Sequence, residues 1–388
     1  MISSSTPWVV VSAWARSTTG QGKPIVSLIE ALSRRGTPVE LVAFDVEPAV
    51  AALPFVTIHR SPRIRGADVV GNLFLRRRGR AVAAAVTRRN PEAVVVVNGG
   101  NCRWADVNWV HYVHAAFTPP AIDSAPVVDR VKERVVGGMY RRQERAAINA
   151  ARLVVTNSEL TRRDVIQRLG TRPQQVRTIY YGLEAKFSPP SDAERSAARE
   201  RFHIAADRPT AVFVGGFGHD GRKGFDTLLD AWSRLSHEPA FRGQLLMAGG
   251  GRAIDAVRRR IQEPQLERSV RLLGFVDDVA ELLAAVDLLV SPVRYEPYGM
   301  NVQEALGRGL PALVSAQAGI AERYPAELRD FVLAQADDAA ELAAKLKAWH
   351  DDPVGARTRF ASFGEEIRRR SWNDMAQEFI AAVEASRT

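Results

Sequence analysis

A chain of 388 residues with 46% hydrophobic and 25% charged side chains is long enough for two domains and too well mixed for wholesale disorder. Its single cysteine, Cys102, excludes an intramolecular disulfide framework and points to a reducing compartment, and no apolar run reaches the ~18 residues of a membrane span. The net charge of +9 is uneven, because residues 1–190 carry 27 Lys and Arg against 14 Asp and Glu while the remainder carries 26 against 30. A half this basic suggests an anionic partner (nucleic acid, acidic lipid headgroups or a phosphorylated substrate) or simply an arginine-rich solvated surface. Nucleic acid is disfavoured, since aromatic rings are not interleaved with the arginines.

In chain order, "WVVVS" (8–12) is a short apolar run with no basic residue before it, and reads as a buried strand rather than a signal peptide. "STTGQGKPIVSLIEAL" (17–32) follows as a glycine-rich loop leading into a helix over 24–35. A phosphate-binding P-loop would need glycine at 17 and Ser or Thr at 24, where Ser17 and Pro24 stand, so an ATPase reading fails. Further strands are predicted at 39–44, 93–97, 109–113 and 153–156, with helices at 81–89 and 158–170. "NWVHYVHAAF" (108–117) puts His111 and His114 at a strand end; with no cysteine or carboxylate pattern nearby, no metal is expected there. The arginine-bearing helical pattern at 134–155 packs on a core or, with the arginines of 60–90, rests on an anionic membrane.

Paired prolines and a charged, alanine-rich helix interrupt the rhythm at 180–204, and alternation restarts at "TAVFVGG" (210–216). It continues through "QLLMAGG", "SVRLLGFV", "DLLVSP" and "PALVS" before closing in helices. Short β-branched runs alternating with amphipathic helices predict parallel βαβ units, hence an α/β chain of two doubly wound, Rossmann-like domains facing a cleft. The expected division is 1–187 and 188–371, with a final helix over 372–388 packing back on the first domain. Ligands of such folds gather beyond the carboxyl ends of the strands.

The stretch "EPYGMNVQE" (296–304) holds two glutamates, one in a loop and one inside the following helix. Gly299 frees the backbone where the helix begins, so the amides of Gly299, Met300 and Asn301 point outward as an anion site. Glu304 can accept hydrogen bonds from vicinal hydroxyls such as those of a ribose, and Glu296 can reach the other side of the same phosphates. Two isolated glutamates would more simply favour the helix dipole and be solvated.

The stretch belongs to a longer pattern, however. "DLLVSPVRYEPYGMNVQEALGRGLPALVS" resembles the E-x7-E region of the retaining glycosyltransferases of family 4, and "VFVGG", "RKGFDTLLDAW", "LLMAGGGR" and "VRLLGFVDDVAELLAAVD" resemble its neighbouring segments. "ARLVVTNSELTRRDVI" and "SWNDMAQEF" resemble the family's segments leading to and returning from the interdomain linker. The resemblance implies a GT-B fold in which the second domain holds a nucleoside-diphosphate sugar. On it, Glu304 binds the ribose, and Glu296, with Tyr298 beside it and the amides after Gly299, contacts sugar and diphosphate. Lys223 and Arg222 neutralise the leaving diphosphate, which needs cations where charge develops. Gly215 opens the phosphate loop, and Phe275 and Val276 flank the base. From the first domain, Gly22 with Gly20 and Lys23 faces the diphosphate, and His114, with His111 as fallback, lies near the transferred sugar. One departure is clear: the family's usual arginine after the strand glycine is Gly216 here, leaving Arg222 to supply that charge. His219 and Asp220 in the same loop read as exposed turn residues.

The resulting expectation is a retaining, metal-independent hexosyltransferase, with His114 and Glu296 as catalytic residues and no cofactor. It would move a sugar to a glycan or lipid-linked acceptor in cell-surface polysaccharide or glycolipid synthesis. The expected location is cytoplasmic, with an anionic membrane surface as candidate partner. The rivals are another GT-B enzyme such as a sugar-nucleotide epimerase, which would act on donor without acceptor, or a noncatalytic nucleotide-sugar-binding module. A phosphorylase lacks its pyridoxal lysine context here.

Overall fold

The computed structural model describes residues 5–63, 68–119 and 133–387. Two compact units divide the chain at Gly182–Leu183 and again at Arg370–Ser371, so that the tail from Ser371 belongs with the first unit.

The first unit is built on seven parallel strands: β1 (Trp8–Val11), β2 (Val39–Ala43), β3 (Val56–Arg60), β4 (Val94–Asn98), β5 (Val107–Val110), β6 (Leu153–Thr156) and β7 (Val176–Thr178). Their order is β3-β2-β1-β4-β5-β6-β7, so the chain enters mid-sheet and winds outward both ways. In register, Val10 of β1 stands between Leu41 and Val96. Because both faces are covered, β1 is buried at every residue. Trp8 and Val10 pack with Leu28, Trp109 and Phe379 on one face, while Val9 and Val11 meet Leu75, Ala83 and Cys102 on the other. Met375, Phe379, Ile380 and Val383 seat the closing helix Trp372–Ala385 in that first core.

Local signals fixed several ends. Ser158 accepts the Thr161 N–H to cap the helix Glu159–Leu169, and Gly170 ends it in the left-handed region. The helix expected at 81–89 is longer, running Asp68–Arg89. Strands β3 and β7 were not expected.

The second unit repeats the plan with β8 (Thr210–Val214), β9 (Gln244–Ala248), β10 (Val270–Gly274), β11 (Leu288–Ser291), β12 (Ala312–Ser315) and β13 (Val332–Leu333), in the order β10-β9-β8-β11-β12-β13. The winding direction reverses between β8 and β11, where a doubly wound sheet opens its ligand crevice. The exits of these two strands carry the glycine loop before the helix Phe225–Leu235 and the EPYGMNVQE stretch before the helix Met300–Gly307. No helix among the described residues is long and apolar enough to cross a membrane.

Candidate active site

The second unit's site is assembled where β8 and β11 end. Leaving β8, Gly215 N–H donates to Ala248 O at 3.0 Å, and the loop then runs to Gly224, whose φ of +65° lets the helix Phe225–Leu235 start. A Cβ on Gly224 would lie 1.8 Å from Pro292 O, so this loop and the exit of β11 touch backbone to backbone. Arg222 and Lys223 sit at that contact, and both cations converge on Glu296. Lys223 Nζ donates to Glu296 Oε2 in a short hydrogen bond, and Arg222 Nη1 lies 3.4 Å from the same oxygen. Asp220 steadies the pair, accepting Arg222 N–H at 3.2 Å. Burial pushes the Glu296 carboxyl up, but Lys223 and Arg222 outweigh it and hold the group below its ordinary value. The site therefore concentrates one carboxylate and two cations.

Glu296 itself is fixed through its backbone, donating to Gln317 O at 3.0 Å and accepting from Gly319 N–H at 2.9 Å. Gly299, at φ +113° and with Ile320 where a Cβ would go, turns the chain into the helix Met300–Gly307. Its carbonyl takes the N–H groups of Val302 and Gln303, while the amides of Gly299, Met300 and Asn301 have no acceptor among the described residues. The Asn301 side chain donates to Val214 O at 3.0 Å, pinning this helix start to the end of β8. The Tyr298 ring is buried, with its hydroxyl donating to Gln303 Oε1.

Glu304 is placed differently from Glu296. Its carboxyl accepts no hydrogen bond and joins no ion pair among the described residues, and burial, reinforced by Glu184 and opposed by Lys186, pushes its pKa up to about 8. A half-buried, unpaired acceptor one helical turn behind free amides is suited to a hydroxyl-bearing ligand. At the end of β10, Phe275 is 81% exposed beside a half-buried Val276. Gly216 and His219 are exposed.

In the first unit, the His114 N–H and ring are both held by the buried Glu144, at 2.9 Å to Oε2 and 2.7 Å from Nδ1 to Oε1. Its ring is half exposed. His111 is buried; its Nδ1 meets Tyr181 OH, its Nε2 has no partner among the described residues, and burial pushes its pKa down to about 3. Gly22 opens the helix Gly22–Arg34 with its N–H already bonded to Thr19 O at 3.1 Å. Lys23 Nζ stands 5.9 Å from the Trp372 ring centre. No cluster of three or more His, Cys, Asp or Glu side chains among the described residues could hold a metal ion.

Two family models match successive parts of the chain: "Glycosyltransferase Family 4" over residues 18–187 and "Glycosyl transferases group 1" over residues 208–352. The chain is a family 4-type glycosyltransferase. It is 28% identical to a D-inositol 3-phosphate glycosyltransferase of Geodermatophilus obscurus over 95% of this chain and 85% of that one. It is 26% identical to the mannosylfructose-phosphate synthase of Agrobacterium fabrum over 69% of this chain and 59% of that enzyme. Its fold is that of WaaG, a glycosyltransferase involved in lipopolysaccharide biosynthesis, at a TM-score of 0.76, 17% identity and 97% and 99% coverage of the two chains. HepE of Anabaena, solved with UDP and glucose, matches at a TM-score of 0.71, 17% identity and 98% and 100% coverage. The expected GT-B class, two domains on parallel Rossmann-like sheets, is the fold observed.

Sequence reasoning about this glycosyltransferase overlooked two carboxylates. Asp220 was read as a bare turn residue, yet it holds Arg222. Glu144 was not singled out, although it fixes His114 from 30 positions away. Only its place on an otherwise arginine-rich helix marked it.

Proposed function

We propose that this glycosyltransferase moves a hexosyl unit, with retention at the anomeric carbon and without a metal, from a nucleoside-diphosphate sugar to a hydroxyl of a glycan or lipid-linked acceptor. The observation that carries the reading is the pairing, on adjacent strand exits, of two cations with an unpartnered carboxyl behind free helix amides. Lys223, Arg222 and the amides of Gly299 to Asn301 take the diphosphate, and Glu304 takes the ribose hydroxyls. Phe275 and Val276 border the base, and Gly215 borders the phosphates. The C1–O bond to the diphosphate breaks as negative charge grows on the leaving group, where the cations stabilise it. The acceptor oxygen bonds to C1 from the same face, and its proton passes to a leaving phosphate oxygen. Glu296 holds the cations and orients the sugar. HepE's complex with UDP and glucose supports a nucleotide-sugar donor. Cell-surface polysaccharide or glycolipid synthesis, at the cytoplasmic face of an anionic membrane, is the setting this chemistry fits. An epimerase would instead turn over donor without acceptor, and a binding module would hold donor without turning it over.

The test is a thermal-shift panel with UDP, GDP, ADP and dTDP on wild type and Glu304→Ala. Ligand at 100 times its dissociation constant adds about 2.7 kcal/mol, which moves the midpoint by several degrees. One nucleotide should stabilise wild type and lose most of its effect in the variant. No shift with any nucleotide would refute the donor site.

A further inference from the structure

Arg294 lies two residues before Glu296, with 12% of its side chain exposed. Its backbone N–H donates to Arg222 O at 2.8 Å, and its guanidinium folds back over the same loop. Nη1 and Nη2 fork onto Asp226 at 2.8 and 2.7 Å, Nη2 reaches Thr227 Oγ1 at 3.2 Å, Nη1 donates to Gly221 O and Nε to Asp337. One side chain thus joins the carbonyl before Arg222, the first turn of the helix after Lys223, and a residue beyond β13. Lys223 stands between these attachment points, and neither cation is fixed by a regular element of its own.

We propose that Arg294 is a positioning residue for the leaving-group cations: it clasps the loop 218–224 so that Arg222 and Lys223 stand over the diphosphate position. The inference rests on the donor-site reading above and adds a residue that touches no substrate. A planar five-donor fork is required, because a lysine at 294 keeps the charge but cannot hold Asp226 and the Gly221 carbonyl together. Its effect on the ligand must pass through the cations, and that is the part a purely structural arginine would not share.

The experiment measures binding of inorganic pyrophosphate and of UDP by calorimetry to wild type, Arg294→Ala, Arg294→Lys, Lys223→Ala and the Arg294→Ala/Lys223→Ala double variant. Melting midpoints are recorded for each. Arg294→Ala is expected to weaken pyrophosphate about tenfold, with Arg294→Lys between it and wild type, and to cost little more in the Lys223→Ala background. Should Arg294→Ala not fold, Asp226→Asn breaks the same clasp from the other side and is expected to show the same dependence on Lys223. Independent, additive losses, or unchanged pyrophosphate binding in folded variants, overturn the proposal. Absence of binding by wild type overturns the donor site itself and this inference with it.

Discussion

At the scale of single residues, the two glutamates of the EPYGMNVQE stretch do opposite work in the ligand-free protein. Glu296 is ionised and engaged; Glu304 is unpaired and holds its proton to about pH 8. Because the folded pKa of Glu304 lies above its ordinary value of 4.5, the unfolded chain gives up this proton first as pH rises. Stability from this group is therefore full below the ordinary value, falls through the window up to about pH 8, and is level above it. Glu304→Gln should melt with wild type near pH 4 and several degrees above it at pH 8. A constant difference across that range would mean Glu304 is not held neutral. Lys223→Ala should cut turnover by roughly 10²- to 10³-fold, the usual loss when one group facing developing charge is removed, and should do so in kcat more than in donor KM. An unchanged kcat would place the leaving group elsewhere. Glu296 and Glu304 were legible because loop and helix follow one another in sequence. The Arg294–Asp226 and His114–Glu144 pairs were not, since their members are 68 and 30 positions apart and only the fold joins them.

At the scale of elements, the alternating strands and helices were legible wherever a run was fully buried. The strands missed were those lacking that pattern: β3 is a half-exposed edge strand, β7 is three residues long and β13 two. The helix Asp68–Arg89 was seen only in its last nine residues, because Val70, Leu73 and Phe74 face outward and blur its apolar side. Turn geometry at the site makes a sharper claim. Gly224 and Gly309 lie in the same unit at φ +65° and +70°, but a Cβ on Gly224 would meet Pro292 O at 1.8 Å while one on Gly309 has only ordinary contacts, the nearest at 3.7 Å. Both alanine variants bear the left-handed backbone cost of about 1–2 kcal/mol, and only Gly224→Ala adds a backbone collision. Gly224→Ala should therefore lower the urea midpoint distinctly more than Gly309→Ala, and weaken nucleotide binding as well. Equal midpoints would show that the loop and the β11 exit part without cost.

At the scale of the whole molecule, charge and apolar exposure coincide in one place. The basic excess lies in residues 1–190, and the helix Asp68–Arg89 carries Val70, Leu73 and Phe74 exposed at helical spacing, continued along the same face by Arg77 and Arg78. Neither arginine has a partner among the described residues. Asn72 donates to Tyr140 OH at 3.3 Å and Arg76 to Gln143, tying this helix to Gly138–Ile148, whose approach exposes Arg134 and Val135. Apolar side chains set among unpaired cations match an anionic bilayer surface, where each arginine contributes about 1 kcal/mol and the apolar tips enter the headgroup region. Nucleic acid would reward the charge but not the exposed Val70 and Leu73. In vesicle sedimentation, wild type should bind phosphatidylglycerol-containing vesicles, ignore phosphatidylcholine, and release in high salt. Arg77→Glu/Arg78→Glu should reduce partitioning by at least about thirtyfold, given two contacts of that size. Leu73→Glu/Phe74→Glu should remove the binding that survives moderate salt. Wild-type binding that both double variants retain would put the membrane contact on another face. Equal binding to neutral vesicles, or none to either, would leave the basic half as a solvated surface and point the enzyme toward a soluble acceptor.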